Sequence, residues 1–334
     1  MFIMRVKKAN VFGTRTAFKP FEYPWAYELW SEHEQMHWLP RSVSMHQDLR
    51  DWSTKLTPED RDFITNILML FTQSDIDVAG GYIKHYLPKF ELPEIRMMLL
   101  GFASREAVHI AAYSYLNETL GKSDEFYSKF MAVPVLKAKH EFFDQVIDKY
   151  KGKNMIPAQI AGISAFTEGM MLFSSFVMLL NYPRNGYMSG TGQLITWSIL
   201  DEQKHVEGLT RLFQTIIQEN PSMWNDALKH EIYSIADMLT HLENDFVEEI
   251  YPVSSMRGLA LEDLKLYNKY IVNQRLNDLG LKAIHSDVKE NPLPWVDEMV
   301  TSQTHSNFFE TRETSYGKAA LTGSWAEVWG KYKK

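Results

Sequence analysis

At 334 residues, with 45% hydrophobic and 23% charged side chains, the chain has a globular composition and the length for one thick core. Its formal net charge of -7 argues against a nucleic-acid partner, which would require a basic face. It has no cysteine, which excludes disulfides, thiolate zinc sites, iron–sulfur clusters and a cysteine nucleophile in this chain; any metal must be held by carboxylate and imidazole.

The opening stretch, Met1 to Gly13, is short in apolar residues and lacks a cleavage-like end, so no signal peptide is expected and the expected location is cytoplasmic. From Thr57 onward helical signals dominate. Thr57-Pro58-Glu59-Asp60 reads as an N-cap, a proline at the first helical position and an acid at the third, opening a helix that carries Asp75. Leu92-Pro93-Glu94 opens the next, which runs to about Leu120 and ends at Gly121. Residues 134–150 form another. Pro157 starts an apolar helix through Glu168 that stops in the turn-rich run Asn181-Tyr182-Pro183-Arg184-Asn185-Gly186.

Residues 160–180 are apolar enough and long enough to cross a membrane, but their only charge is Glu168, near the middle. A central carboxylate is costly in lipid and useful in a bundle core, so a buried helix is expected and no membrane. Further helices are expected over 192–219, 224–251 and 261–279, and the periodicity fades after Asn291-Pro292-Leu293-Pro294. No alternating run suggests a sheet. The expectation is an all-α chain, one helical domain over 1–300 and an exposed tail over 301–334.

Two copies of Glu-x-x-His lie in this frame, Glu106-Ala107-Val108-His109 and Glu202-Gln203-Lys204-His205. Each follows a helix bearing one carboxylate in an apolar run, Asp75 before the first and Glu168 before the second. Residues three apart on a helix project from one face, so each Glu–His pair can chelate or bridge. Four carboxylates and two imidazoles in a core repel unless cations neutralise them, and two divalent ions balance four negative charges. This is the ligand pattern of a helical bundle with two metals in its core. A lone Glu-x-x-His is more often a solvated helix face; the repetition behind buried acids separates the two readings. Asp77 competes with Asp75 but, two residues on, faces elsewhere. Tyr113 lies four after His109, about one turn or ~6 Å along the same stripe. Spacing leaves two readings open there, a phenol oxidised to a radical or a core tyrosine with one hydrogen bond.

The combined set, Asp75, Glu106-x-x-His109-x-x-x-Tyr113, Glu168 and Asp201-Glu202-x-x-His205, resembles the radical-generating small (β) subunit of class I ribonucleotide reductase. The resemblance runs from about Tyr27 to Tyr316 and implies a ferritin-like helical bundle. Gln35-Met36-His37-Trp38-Leu39-Pro40 is similar to the segment holding a tryptophan on that family's electron path. Asp201 corresponds to the carboxylate that links this tryptophan to the first ligand histidine, His109, and Tyr316 to a tail tyrosine that relays the radical between subunits. The bland alternatives are a core role for Trp38 and no role for Tyr316.

The resemblance implies a dinuclear centre, with iron in both positions as the first expectation and dimanganese or mixed manganese–iron as alternatives, since the ligands do not separate these metals. It implies oxidation of Tyr113, or storage of the oxidising equivalent on the metals. That equivalent then passes through Trp38 and Tyr316 to a cysteine of a separate large (α) subunit, where ribonucleotides become deoxyribonucleotides. It further implies a homodimer and docking of the large subunit on the C-terminal tail. Two departures stand out. Leu172 occupies a position usually held by phenylalanine, with Phe176 one turn on, and the chain ends Trp329-Gly330-Lys331-Tyr332-Lys333-Lys334 rather than in an acidic tail, which shifts docking toward Trp325 or Trp329. A di-iron oxidase or hydroxylase acting on a small molecule or lipid, and a ferritin-like iron store, are the competing readings.

Overall fold

A computed structural model describes residues 10–150, 155–252 and 256–301. Two compact units divide the chain, Met1–Leu293 and Pro294–Lys334, and every numbered element below lies in the first. The described residues contain no strand; a further helical run covers 294–301 in the second unit, and the described part of the first unit holds eleven α-helices. They are α1 (Pro24–Gln35), α2 (His46–Thr54), α3 (Pro58–Gly81), α4 (Pro93–Thr119), α5 (Glu125–Ser128) and α6 (Pro134–Lys149), followed by α7 (Ile156–Ile160), α8 (Phe173–Arg184), α9 (Ser189–Glu219), α10 (Asp226–Ile250) and α11 (Leu261–Asp278).

The core is two helical hairpins face to face. In the first, α3 packs along α4, and the residues between them, 82–92, are too few for anything but a reversal. In the second, α8 and the segment before it pack on α9, and α9 also meets α4. Helices α1 and α2 cover α9 from outside, while α6, α10 and α11 close over the segment joining α7 to α8.

The helix starts follow local chemistry. Thr57 Oγ1 accepts from the Asp60 amide (3.1 Å) and Asp60 Oδ2 accepts from the Thr57 amide (2.9 Å), a closed capping box ahead of Pro58. Helix α4 starts on Pro93 and is followed by Gly121 at φ +74°, a conformation that suits a residue without a Cβ.

Three features depart from the sequence reading. Helices α1 and α2 were not expected. In α2 the buried residues are Asp48 and Asp51, so its inward face is polar and no apolar stripe marks it. Those carboxylates also explain why α9 begins at Ser189 rather than Gly192. Asp48 accepts from the amides of Gly190 (2.8 Å) and Thr191 (2.7 Å) and from the Thr191 hydroxyl (2.7 Å), a cap supplied from 142 residues away.

The third departure is the stretch around Glu168. The span Ile156–Arg184 has the length and hydropathy of a membrane crossing, yet all of its most apolar window is buried inside the protein. It is not one continuous α-helix: Ala161–Met171 is π-helical. Thr167 Oγ1 donates to the Gly162 carbonyl (3.0 Å) and Arg275 Nε to the Gly169 carbonyl (2.9 Å). A Cβ at Gly169 would lie 2.8 Å from that arginine nitrogen, so only glycine lets α11 approach so closely. A second π turn, Tyr82–Tyr86, ends α3. Such turns occur often where a side chain must be re-aimed for function.

Candidate metal centre

Helix α3 contributes Asp75, α4 contributes Glu106 and His109, the π segment contributes Glu168, and α9 contributes Glu202 and His205. All are buried, none more than 1% exposed. The three-residue spacing puts each glutamate beside its own histidine: His109 Nδ1 is 3.4 Å from Glu106 Oε2, and His205 Nδ1 is 3.3 Å from Glu202 Oε2. Each glutamate also reaches across to the other imidazole. Glu106 Oε1 is 2.9 Å from His205 Nδ1, and Glu202 Oε1 is 3.2 Å from His109 Nδ1.

Glu106 and Glu202 therefore each present one oxygen to each histidine, and the cluster has two halves that share both. Asp75 Oδ2 stands at the first half, 3.8 Å from His109 Nδ1, and Glu168 Oε2 at the second, 3.7 Å from His205 Nδ1. Two trios, Asp75–Glu106–His109 and Glu106–Glu202–His205, hold donor atoms within 4.8 Å of one another, close enough to share an ion.

The fit to cations can be tested on atoms without partners. Asp75 Oδ2, both oxygens of Glu106, Glu168 Oε1, Glu202 Oε2 and the Nδ1 atoms of His109 and His205 are buried and make no hydrogen bond among the described residues. So many stranded donors and acceptors in one place would be costly, whereas oxygen and imidazole donors suit a pair of divalent ions.

The electrostatics agree. Burial, then the charge of Glu106, pushes the Asp75 carboxyl well above the usual range, and burial does the same to Glu168. On Glu106 burial acts upward too, but the two imidazoles beside it, His109 and His205, outweigh it and draw the carboxyl down to about 2. Burial tends to lower His205, but the neighbouring Glu106 carboxylate prevails and raises it to about 10. Protons thus gather where cations would sit.

A polar line leaves the cluster from His109. Its Nε2 lies 3.1 Å from Asp201 Oδ2, and the same oxygen accepts from Trp38 Nε1 at 2.8 Å. Trp38 is buried, stacks 5.9 Å from the His109 ring and has Trp197 beside it at 5.4 Å. Tyr113 is 1% exposed, its ring 6.5 Å from that of His109 and 5.0 Å from Phe71, which in turn meets Phe176 at 4.9 Å. Phe176 thus stands behind Phe71, one ring removed from the tyrosine, while Leu172, also buried, stands at the junction of the π segment and α8. Asp77 points away, to His140 Nδ1 at 2.6 Å. Tyr316, Trp325 and Trp329 lie outside the described residues.

Three residues at the site carried no sequence signal that was read. His33 Nε2 sits 3.1 Å from Asp201 Oδ1, and Arg105 Nε 3.5 Å from Oδ2. Tyr82 donates its hydroxyl to Glu168 Oε2 at 2.8 Å. Only Tyr82 could have been found, seven residues and two helical turns after Asp75.

Comparison with known proteins follows the same lines. The model of the family described as "Ribonucleotide reductase, small chain" matches residues 15–292. A probable ribonucleoside-diphosphate reductase small subunit of Invertebrate iridescent virus 6 is 42% identical, over 95% of this chain and 98% of its own. The ribonucleoside-diphosphate reductase subunit beta of Chlamydia pneumoniae is 28% identical, over 90% and 89%. Among solved structures, the ribonucleotide reductase R2 subunit from Clostridium botulinum superposes with a TM-score of 0.78 at 20% identity, covering 84% of this chain and 89% of that one. A dimanganese(II) NrdF from Streptococcus sanguinis does so with a TM-score of 0.76 at 21% identity, covering 86% and 100%.

Proposed function

The chain belongs to the ribonucleotide reductase small-chain family, subunits of an oxidoreductase, and on that premise we propose that its buried cluster holds two metal ions and serves to oxidise Tyr113. Asp75, Glu106, Glu202 and His109 would hold one ion; Glu168, Glu106, Glu202 and His205 the other. A metal pair held there would supply one-electron oxidising power, given dioxygen or a derived oxidant. Iron in both positions is the first expectation, and manganese alone or with iron are the other occupants that spectra would reveal.

The residues around the pair determine what happens next. Burial, then the charge of Asp75, holds the Tyr113 proton on the phenol well above its ordinary pKa, so losing an electron must be coupled to losing that proton. Phe71, backed by Phe176, keeps water from the oxidised ring. Trp38, Asp201 and His109 form a hydrogen-bonded line that would carry an electron toward the cluster. Beyond Trp38 the route runs to Tyr316 and to a cysteine of the large subunit, where ribonucleotides are reduced.

Residues 301–334 form the docking tail in this reading, and the exposed Ile76, Ile83 and Leu100 of the first hairpin offer apolar surface to a second copy of the chain. The crossed reach of Glu106 and Glu202 to both imidazoles carries the proposal. Electron paramagnetic resonance after loading with Fe(II) and oxygen, then with Mn(II), tests it. A tyrosyl signal absent from Tyr113→Phe is the expected result. A signal unchanged in that variant removes Tyr113 from the scheme.

A further inference from the structure

Tyr82 is bonded directly to the cluster yet belongs to neither trio of donor atoms. It is fully buried, at the start of the π turn that ends α3, and its hydroxyl donates to Glu168 Oε2 at 2.8 Å. Its ring meets those of His205 (6.1 Å) and Phe102 (6.0 Å) edge-on, which fixes the direction of the hydroxyl. Seven residues separate it from Asp75, so the two share one stripe of the helical run from α3 into the π turn, about 10 Å apart along the axis. One face of that run thus reaches both halves of the cluster, the first with a carboxylate and the second with a phenol.

Glu168 needs such a partner more than the other acids do. It stands on π-helical backbone, and its carboxylate is the one acid absent from both close trios. The phenol occupies one acceptor position of Oε2. Oε1 has no hydrogen bond, and Oε2 remains 3.7 Å from His205 Nδ1. A carboxylate offers about four acceptor positions, so one can be given to the phenol while others face an ion.

We propose that Tyr82 is a positioning residue for the second metal position: it fixes the plane of Glu168 so that the carboxylate completes the half made with His205. The first half, around Asp75 and His109, touches Tyr82 nowhere in the hydrogen bonds described, and its own outer partner is Asp201. Loss of the phenol should therefore weaken one ion and spare the other. A generally loosened fold would weaken both. The inference rests on the two-metal reading above.

The test titrates metal-free, full-length protein with Mn(II) alone, read by calorimetry and by the resonance of free and coupled Mn(II). Wild type is expected to bind two ions with a coupled spectrum; failure to do so overturns the two-metal reading itself. In Tyr82→Phe one ion should bind as before and the other 10- to 100-fold more weakly, the usual effect of removing such a partner. Tyr86→Phe is the control, because its hydroxyl donates to the Gln159 carbonyl (3.3 Å) rather than to a carboxylate of the cluster, and it should titrate like wild type. Two tight ions in Tyr82→Phe, or equal weakening of both, overturn the inference. So does a further loss when Tyr82→Phe is added to Glu168→Ala, a protein in which the phenol has nothing left to hold.

Discussion

Four side chains converge on Asp201: Trp38 and His109 on one oxygen, with Arg105 near it, and His33 on the other. Burial acts to raise its carboxyl, but bonds from His109 and His33 and the Arg105 charge hold it far below the usual range. It is a fixed negative charge behind an imidazole, an arrangement that selects the imidazole tautomer and strengthens the nitrogen facing an ion. Asp201→Asn keeps the shape and removes the charge. The expected outcome is a 10- to 100-fold weaker Mn(II) position on the His109 side, the His205 side being unchanged, the mirror image of the Tyr82→Phe result. Site-resolved Mn(II) titration checks this, and equal weakening of both positions would falsify the assignment of Asp201 to one half.

The elements that carry the cluster are held by polar contacts across long separations. Lys139 on α6 is fully buried; its Nζ donates to the Met171 carbonyl at the end of the π segment (2.8 Å), pairs with Glu243 Oε1 (2.7 Å) and lies 3.8 Å from the centre of the Phe246 ring. Ser174 donates to the other Glu243 oxygen (2.8 Å). Cutting one side of a buried pair strands the remaining charge, so Lys139→Met should cost about 3–5 kcal/mol, while Lys139→Met with Glu243→Leu should recover most of that. Urea denaturation of both variants decides it. At the start of α9, Asp51 Oδ2 accepts from the Met188 amide (3.0 Å). Burial raises its carboxyl, but the bonds from Lys55 and that amide outweigh burial and lower it. A carboxyl depressed by folding stabilises the fold above its unfolded pKa, and the benefit is lost as pH falls through the folded value. The stability gap between wild type and Asp51→Asn should stay level from neutrality to about pH 5 and shrink below about pH 4. A gap that widens on acidification would contradict the assignment. These contacts explain what sequence could reveal of the fold. Helices α3, α4 and α6 were legible because Pro58, Pro93 and Pro134 mark their starts, and α10 and α11 because their inward faces are largely apolar, whereas the start of α8 at Phe173 was not. The polar inner face of α2, the distant cap of α9 and the π segment, whose carbonyls are held by Thr167 and Arg275, leave no periodic trace.

Across the whole molecule the two hairpins press carboxylates together at the point where they meet. The residues gathered there were legible because Glu-x-x-His spacing is a property of one helix and was stated twice; His33 and Arg105 arrive by tertiary packing and were not, while Tyr82 left its trace only in the seven-residue spacing from Asp75. Without cations the cluster relies on protons, as the raised carboxyls of Asp75 and Glu168 and the raised imidazoles show, and it still leaves acceptors without partners. Ions that bind only when both hairpins are in place should therefore clamp one to the other. Free Mn(II) at 100 times its dissociation constant would add about 2.7 kcal/mol per position, and the unfolding midpoint should rise by several degrees and return with a chelator. Glu202→Ala removes one of the two carboxylates that reach both imidazoles, so its midpoint should barely respond. A rise of wild-type size in that variant would place the stabilising ion elsewhere, for instance on the acidic face of α6 at Glu141, Asp144 and Asp148, and would separate the cluster from the stability of the fold.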